Sequence, residues 1–248
     1  MHLVTTKELR KYVAEILVII IGILIAFQVE EWRQGLRQER DLQASLVRLK
    51  EETEVNLGLC ATSIPDTLLQ ANNALAVVNA LQSGQLSPES LVGFEAGLTN
   101  LGALYKPPFL SSVAEEMIAT GLLKELVNAD LRISVAGLPK LVQRVVDEYS
   151  DQRQAMNVTV NELASRVEFH YPGPFNFDEI RGTRSEQPRG AYERAITVNY
   201  DFESLAGDVY FTNLMIEVAD TYGDLHSIQR GLCRATERVN ALMVESGE

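Results

Sequence analysis

The stretch ILVIIIGILIAF, residues 16–27, is an unbroken run of twelve apolar residues near the N-terminus. Together with its flanks it forms a block over residues 12–29 whose polar interruptions are Glu15 and Gln28. As a helix this block would be roughly 27 Å long, close to the roughly 30 Å thickness of a bilayer's hydrocarbon core. We therefore expect an uncleaved membrane-spanning helix, with Tyr12 and Trp32 at the membrane interfaces.

Two other interpretations of the block stay open. A basic stretch containing Lys7, Arg10 and Lys11 before a short apolar run is typical of a cleaved signal peptide, although no small-x-small cleavage site follows. A helix buried in a protein core is the third interpretation, and the abrupt polar edges of the block argue against it.

The basic residues around the block give a weak indication of orientation. Three lie on each side: Lys7, Arg10 and Lys11 before it, and Arg33, Arg37 and Arg40 after it. Because the N-terminal flank is short and carries a single acid, Glu8, we expect residues 1–11 in the cytoplasm. Residues 30–248 would then form a domain outside the cytoplasm.

The rest of the chain predicts a helical domain, so the expected fold class is all-α, with a membrane helix continuing into a helical bundle. The first helix is expected from about residue 7 to about 59, and Ser63-Ile64-Pro65-Asp66 should open a second one. Further helix signals are Ser87-Pro88, Ser112-x-x-Glu115 followed by Gly121, and apolar stripes over 129–169 and 204–244. Prolines and glycines over about 170–204 predict one long irregular loop, with a short unpartnered strand at 195–198.

Composition excludes several classes of function. With 22 basic and 34 acidic residues the formal net charge is −12, which disfavours nucleic-acid binding. The sequence contains no Walker A loop, no dinucleotide-binding glycine motif, no nucleophile elbow and no HExxH motif, so we expect neither catalysis nor a cofactor. Cys60 and Cys233 are interpreted as buried unpaired thiols, with a disulfide between them as the alternative outside the cytoplasm.

Two groups of residues are candidates for binding a partner. Within the loop these are Tyr171, Phe175, Phe177, Arg181, Arg184 and Arg189, because aromatic residues and arginines dominate interface hot spots. In the membrane helix, Glu15, Val18, Gly22 and Ala26 share one face, and Gly22-x-x-x-Ala26 is a spacing that permits close helix packing in lipid. The alternatives are a loop that folds onto the bundle, an incidental glycine, and a local pair between Glu15 and Lys11.

The longer stretch EILVIIIGILIAFQVEEW, residues 15–32, resembles the N-terminus of an uncharacterised bacterial family of single-pass membrane proteins. The similar positions are Glu15, Ile21-Gly22-Ile23, Gln28 and Trp32, and residues 111–132 are similar to the family's middle segment. Glu30-Glu31 departs from the asparagines of the family pattern. The resemblance implies a helical, membrane-anchored fold and implies no activity, substrate or cofactor.

We therefore expect a non-catalytic accessory or scaffold subunit of a larger membrane complex, such as an energy-transducing one. With the bacterial family that the chain resembles, this places the protein at the inner membrane of a bacterium, with residues 30–248 in the periplasm. Its partners would be membrane lipid and either other membrane subunits or a second copy of the chain. The alternative is a membrane-anchored sensor whose helical domain binds a small ligand and acts through a partner.

Overall fold

A computed structural model describes residues 6–170 and 197–246; for residues 6–16, 18 and 246 it describes the helix but not the side chains. The described residues form six α-helices, one 3-10 helix and a two-stranded antiparallel sheet, which confirms the all-α fold class. In chain order the elements are α1 (Thr6–Ser83), α2 (Pro88–Thr99), α3 (Ser112–Thr120), the 3-10 helix (Leu122–Glu125), α4 (Ala129–Ala164), β1 (Glu168–His170), β2 (Thr197–Asn199), α5 (Phe202–Gly207) and α6 (Val209–Ser246).

The core lies between α1, α4 and α6, a helical bundle in which α6 packs along both α1 and α4. Cys60 and Thr67 of α1 pair with Cys233 and Gln229 of α6, so these two helices are antiparallel. Buried residues on each helix recur at alternating intervals of three and four, the spacing that keeps one seam facing its neighbours. In α1 these seam residues are Leu46, Leu49, Thr53, Asn56, Cys60, Ser63 and Thr67, and in α6 they are Met215, Val218, Tyr222, Leu225, Gln229, Leu232, Thr236, Val239 and Met243.

Helix α2 packs tightly against the distal part of α1. Phe94 and Leu98 are fully buried there, and Gly93 and Gly97 lie on the contact. A Cβ atom on Gly97 would lie 2.5 Å from the Asn73 carbonyl oxygen. Glycine therefore allows the two helix backbones to approach more closely than any larger residue would permit.

The predicted break between a first and a second helix is wrong, because α1 continues through Pro65 to Ser83. Proline lacks the N–H that would bond the carbonyl four residues earlier, which normally kinks or ends a helix. Here the seam residues on both sides of Pro65, from Cys60 to Thr67, are held by α6. Packing in the bundle therefore offsets the local cost of the missing hydrogen bond.

Other boundaries follow the local signals. Ser87 caps α2 by accepting a hydrogen bond from the Ser90 N–H, and Gly121 ends α3 with φ +77°, as predicted. The last predicted helix is divided at Asp208, whose side chain accepts from the Phe211 N–H and so starts α6. The predicted strand does have a partner, since β2 pairs with β1 over residues that the apolar pattern had assigned to the preceding helix.

The N-terminal part of α1 extends beyond the bundle. Every side chain that the structure describes between Leu17 and Asp41 is exposed, and the first buried residue of α1 is Ser45. Within the described part of the chain, no helix offers a stretch long and apolar enough to cross a membrane. The side chains of residues 12–16 and 18, which belong to the predicted span, lie outside the described residues.

Candidate functional site

The residues predicted to form a partner-binding face of α1 are described in part. Gly22 and Ala26 are exposed, and a Cβ atom on Gly22 would meet no atom within 4 Å. Glu15 and Val18 lie within α1, but their side chains are outside the described residues. Gly22 therefore has no packing role inside the described part of the chain.

The apolar segment of residues 16–27 carries large side chains that nothing else in the described chain covers. Those of Leu17, Ile19, Ile20, Ile21, Ile23, Leu24, Ile25 and Phe27 are between 46% and 66% exposed. Because they include consecutive residues, they surround the helix and do not form a single stripe. A helix that is apolar all round is typical of one buried in a protein core or in lipid.

The predicted partner-binding loop residues, Tyr171, Phe175, Phe177, Arg181, Arg184 and Arg189, all lie outside the described residues. The structure describes the two strands that flank them, β1 and β2, which pair Phe169 with Val198. Arg166, just before β1, binds Asp208 at 2.8 Å and Glu162 at 3.1 Å, and it stacks over the Tyr210 ring. These contacts fix Arg166, and with it the chain leading into β1, to the start of α6.

Cys60 and Cys233 are joined in a disulfide in the structure. The preferred interpretation, two unpaired buried thiols, is therefore wrong, and the alternative applies. The bond lies in the seam between α1 and α6, where the two cysteines are 7% and 5% exposed. It links the helix that carries the apolar segment to the last helix described.

One turn from the disulfide, a polar layer crosses all three helices of the bundle. Gln229 of α6 lies 2.9 Å from the Thr67 hydroxyl of α1, and its side-chain amide donates to the Tyr149 hydroxyl of α4. All three residues are buried. Buried polar residues at seam positions favour one register over its alternatives, because any slip leaves them unpaired.

A second polar arrangement, the α1 ladder, is formed by Arg48, Glu52 and Asn56, which are four residues apart and share one face. Arg48 donates two hydrogen bonds of 2.8 Å to the Glu116 carboxylate of α3. Asn56 donates to the Leu110 carbonyl and accepts from the Leu110 N–H, both at 2.8 Å. The ladder therefore holds the segment from Leu110 to Glu116 against α1.

The middle rung of the ladder replaces a helix cap. The capping box predicted from Ser112 and Glu115 is wrong, because Ser112 is the first residue of α3 and Ser111 before it does not cap the helix with its side chain. Instead the Glu52 carboxylate accepts from the Val113 N–H at 3.0 Å and from the Ser112 hydroxyl at 2.8 Å. Because Glu52 is only 6% exposed, this cap comes from the interior of the bundle. Negative charge at the start of a helix is also favoured by the helix dipole.

A polar cleft of about 350 Å³ opens beside the ladder, between α1 and the end of α3. Its charged lining residues are Asp41, Arg48, Glu116, Lys124 and Glu125. Among the residues that the structure describes, no three acidic, histidine or cysteine side chains cluster closely enough to hold a metal ion. The cleft offers hydrogen bonds and mixed charge to a small polar molecule.

Among the ionisable groups whose pKa values are displaced, Glu116, Asp208 and Tyr222 show the physical causes most clearly. The pKa of Glu116 is lowered by its hydrogen bonds from Arg48, and the pKa of Asp208 is lowered by Arg166 and by the Phe211 N–H. Burial raises the pKa of Tyr222 to about 12, and its hydroxyl donates to the Asn100 carbonyl. The two lowered pKa values follow from ion pairs that join neighbouring elements and stabilise the charged carboxylates.

Sequence reasoning missed the ladder and the polar layer. Their signal was present, because Thr53, Asn56, Ser63 and Thr67 are polar residues at seam spacing on α1. Their hydrogen-bond partners could not be predicted, because they lie far away in the sequence: Leu110 is 54 residues from Asn56, and Gln229 is 162 residues from Thr67.

The chain matches no protein-family model, and no curated protein and no solved structure is significantly similar to it.

Proposed function

We propose that the protein is a non-catalytic single-pass membrane protein, an accessory or scaffold subunit whose bundle stands outside the cytoplasm. The observation that carries this proposal is the exposure of the apolar segment on all sides of α1. Burying a large apolar side chain is worth about 1.5–3 kcal/mol, so eight such residues held in water represent a large unfavourable term. Lipid around residues 12–29 would remove it.

The disulfide supports the proposed side of the membrane. Disulfides persist in oxidising compartments such as the bacterial periplasm and are rare in the cytosol. The bundle that contains Cys60 and Cys233 would then lie in the periplasm, with the short basic tail of residues 1–11 in the cytoplasm. This orientation agrees with the basic N-terminal flank.

Partner binding is proposed at two places. Glu15, Val18, Gly22 and Ala26 would pack against a helix of another subunit or of a second copy, since small residues permit close approach in lipid. The loop residues Tyr171, Phe175, Phe177, Arg181, Arg184 and Arg189 would contact a partner outside the membrane.

The anchor and its orientation are tested with full-length protein in cells. We expect the chain to remain in the membrane fraction after alkaline carbonate washing, and protease added to spheroplasts to digest residues beyond 32. Release by carbonate would contradict the anchor. Full protection in permeable, accessible spheroplasts would contradict the orientation while leaving the anchor intact.

The partner face is tested by a matched pair of variants. Gly22→Leu should reduce recovery of partners or of dimer on native gels in mild detergent, whereas Ile20→Leu should not. Arg184→Ala with Arg189→Ala should weaken complex recovery and leave the melting temperature unchanged. Recovery of a monomer alone from the unmodified protein would argue against a scaffold subunit.

A small-ligand sensor is the second candidate, and the cleft beside the α1 ladder favours it. A ligand there would contact both Arg48 of α1 and the end of α3, so its binding could reposition α3 against the membrane helix. A reproducible rise in melting temperature with one member of a polar metabolite panel, abolished by Lys124→Ala, would support this function.

A further inference from the structure

Three arginines lie on one face of α1 just beyond the apolar segment. Arg33, Arg37 and Arg40 follow one another at intervals of four and three residues, which places them side by side along the helix. All three are exposed. Among the described residues none of them forms a salt bridge, although Glu30 and Asp41 are within helical reach.

A neighbouring face of the same stretch is apolar. Val29, Trp32 and Leu36 recur at intervals of three and four residues and are 49%, 67% and 36% exposed. At the end of a membrane-spanning helix, apolar residues meet the edge of the hydrocarbon core while long basic side chains reach the headgroups. Tryptophan is also enriched at that depth of the membrane.

The arginine stripe does not contribute to the fold. Like charges three and four residues apart on a helix repel each other, and Glu30 and Asp41, three and four residues from Arg33 and Arg37, offset part of this repulsion. The nearest buried residue of the bundle, Ser45, lies more than one turn beyond Arg40. A negatively charged surface outside the chain would relieve this repulsion.

We propose that Arg33, Arg37 and Arg40 bind the phosphate groups of anionic phospholipids where α1 leaves the bilayer. The proposal rests on the membrane anchor proposed above and names the lipid chemistry that the anchor contacts. Guanidinium groups bind phosphate through paired, charge-assisted hydrogen bonds. An acidic protein surface could also neutralise the stripe, but lipid is favoured because the stripe is continuous with the apolar segment and with Trp32.

The three arginines lie at different distances from the hydrocarbon core, which follow from the rise of the helix. With Val29 at the edge of the hydrocarbon core, Arg33 lies about 6 Å, Arg37 about 12 Å and Arg40 about 16 Å beyond it. The headgroup layer is about 6 Å thick on each side. Arg33 therefore lies within that layer, Arg37 reaches back with its long side chain, and Arg40 approaches only when the helix tilts.

The proposal can be tested by tryptophan fluorescence, because Trp32 is the single tryptophan of the chain. Full-length protein is reconstituted into one-to-one vesicles of phosphatidylcholine and phosphatidylglycerol, with one lipid at a time brominated close to the headgroup. Bromine quenches only nearby tryptophan, so the ratio of the two quenching constants reports which lipid surrounds Trp32. We expect brominated phosphatidylglycerol to quench about two- to fivefold more strongly, and less so at high salt.

The variants separate the proposal from its alternatives. The triple change Arg33→Gln, Arg37→Gln, Arg40→Gln should bring the ratio to one, with single changes ranked Arg33, Arg37, Arg40 in decreasing effect. The matched control, Arg144→Gln, Arg230→Gln, Arg234→Gln, removes three exposed arginines of the bundle and should leave the ratio unchanged. A ratio of one in the unmodified protein would overturn the lipid proposal and favour an acidic protein partner. Absence of quenching by either lipid would overturn the anchor itself.

Discussion

Cys60 of α1 is bonded to Cys233 of α6, across a sequence separation of 173 residues. The bond lies one helical turn from Gln229, which contacts both Thr67 and Tyr149. A covalent link and a buried polar layer therefore fix the same section of the bundle, and both act on the helix that carries the apolar segment.

Removing the disulfide should destabilise the bundle without changing its fold. Closing so long a loop restricts the unfolded chain, and loss of such a bond costs about 2–5 kcal/mol in the free energy of unfolding. Cys60→Ala, Cys233→Ala and the double variant should lose similar amounts, because each removes the same bond. Urea denaturation without reductant measures this, and superimposable curves for the unmodified and double-variant proteins would contradict it.

Gly97→Ala should destabilise the contact between α2 and α1. The new Cβ would lie 2.5 Å from the Asn73 carbonyl oxygen and 2.6 Å from Val77 Cγ2, so the helices must separate, at about 1–3 kcal/mol. The control is Gly58→Ala on the exposed side of α1, where a Cβ meets nothing within 4 Å. That change should stabilise by up to about 1 kcal/mol through helix propensity. Thermal denaturation giving both changes the same sign would rule out this explanation.

Asn56→Ala should release the segment around Leu110 from α1. It leaves the Leu110 N–H and carbonyl without their partner, at about 1–3 kcal/mol for each group that stays buried. Hydrogen exchange should accelerate over residues 109–116 and stay slow in α6. Gln143→Ala removes an exposed side-chain hydrogen bond and serves as the control. Unchanged exchange at Leu110 would show that the ladder is not what holds the segment.

The Arg48–Glu116 pair should make the stability of the fold depend on pH in the acidic range. The pKa of Glu116 is lowered below its ordinary value of 4.5, so the folded state binds this proton less tightly than the unfolded state does. The pair therefore stabilises the fold above pH 4.5, and its contribution disappears as pH falls through the lowered pKa. Glu116→Gln should be less stable than the unmodified protein at neutral pH and equally stable in acid. A difference that persists in acid would point to packing instead.

The sequence predicted those helix ends that depend only on residues next to them in the chain. Ser87 before Pro88 and Gly121 after α3 act through their own backbone conformations, so the sequence alone identifies these helix ends. Pro65 gave a misleading signal because the helix around it is held by residues of α6. The antiparallel β1–β2 pair was missed because its strands are three residues long and separated in sequence.

The candidate sites also differ in whether the sequence alone could predict them. The apolar segment was evident from composition, since hydrophobicity is a property of the residues themselves. The α1 ladder was not, because Glu52 and Asn56 are defined by hydrogen bonds to Val113 and Leu110, which only the folded chain brings near. The Cys60–Cys233 pair stayed ambiguous for the same reason.

The pairing of α1 with α6 sets the order in which the molecule can assemble. The seam of α1 is synthesised first, but the helix that covers it begins only at Val209. A nascent chain therefore carries an uncovered seam through most of its synthesis, a period in which exposed apolar surface favours aggregation. Thr53, Asn56, Ser63 and Thr67 make the middle of that seam polar, and Thr67 later bonds Gln229 of α6. Before α6 covers the seam, these polar side chains make aggregation of the nascent chain less favourable.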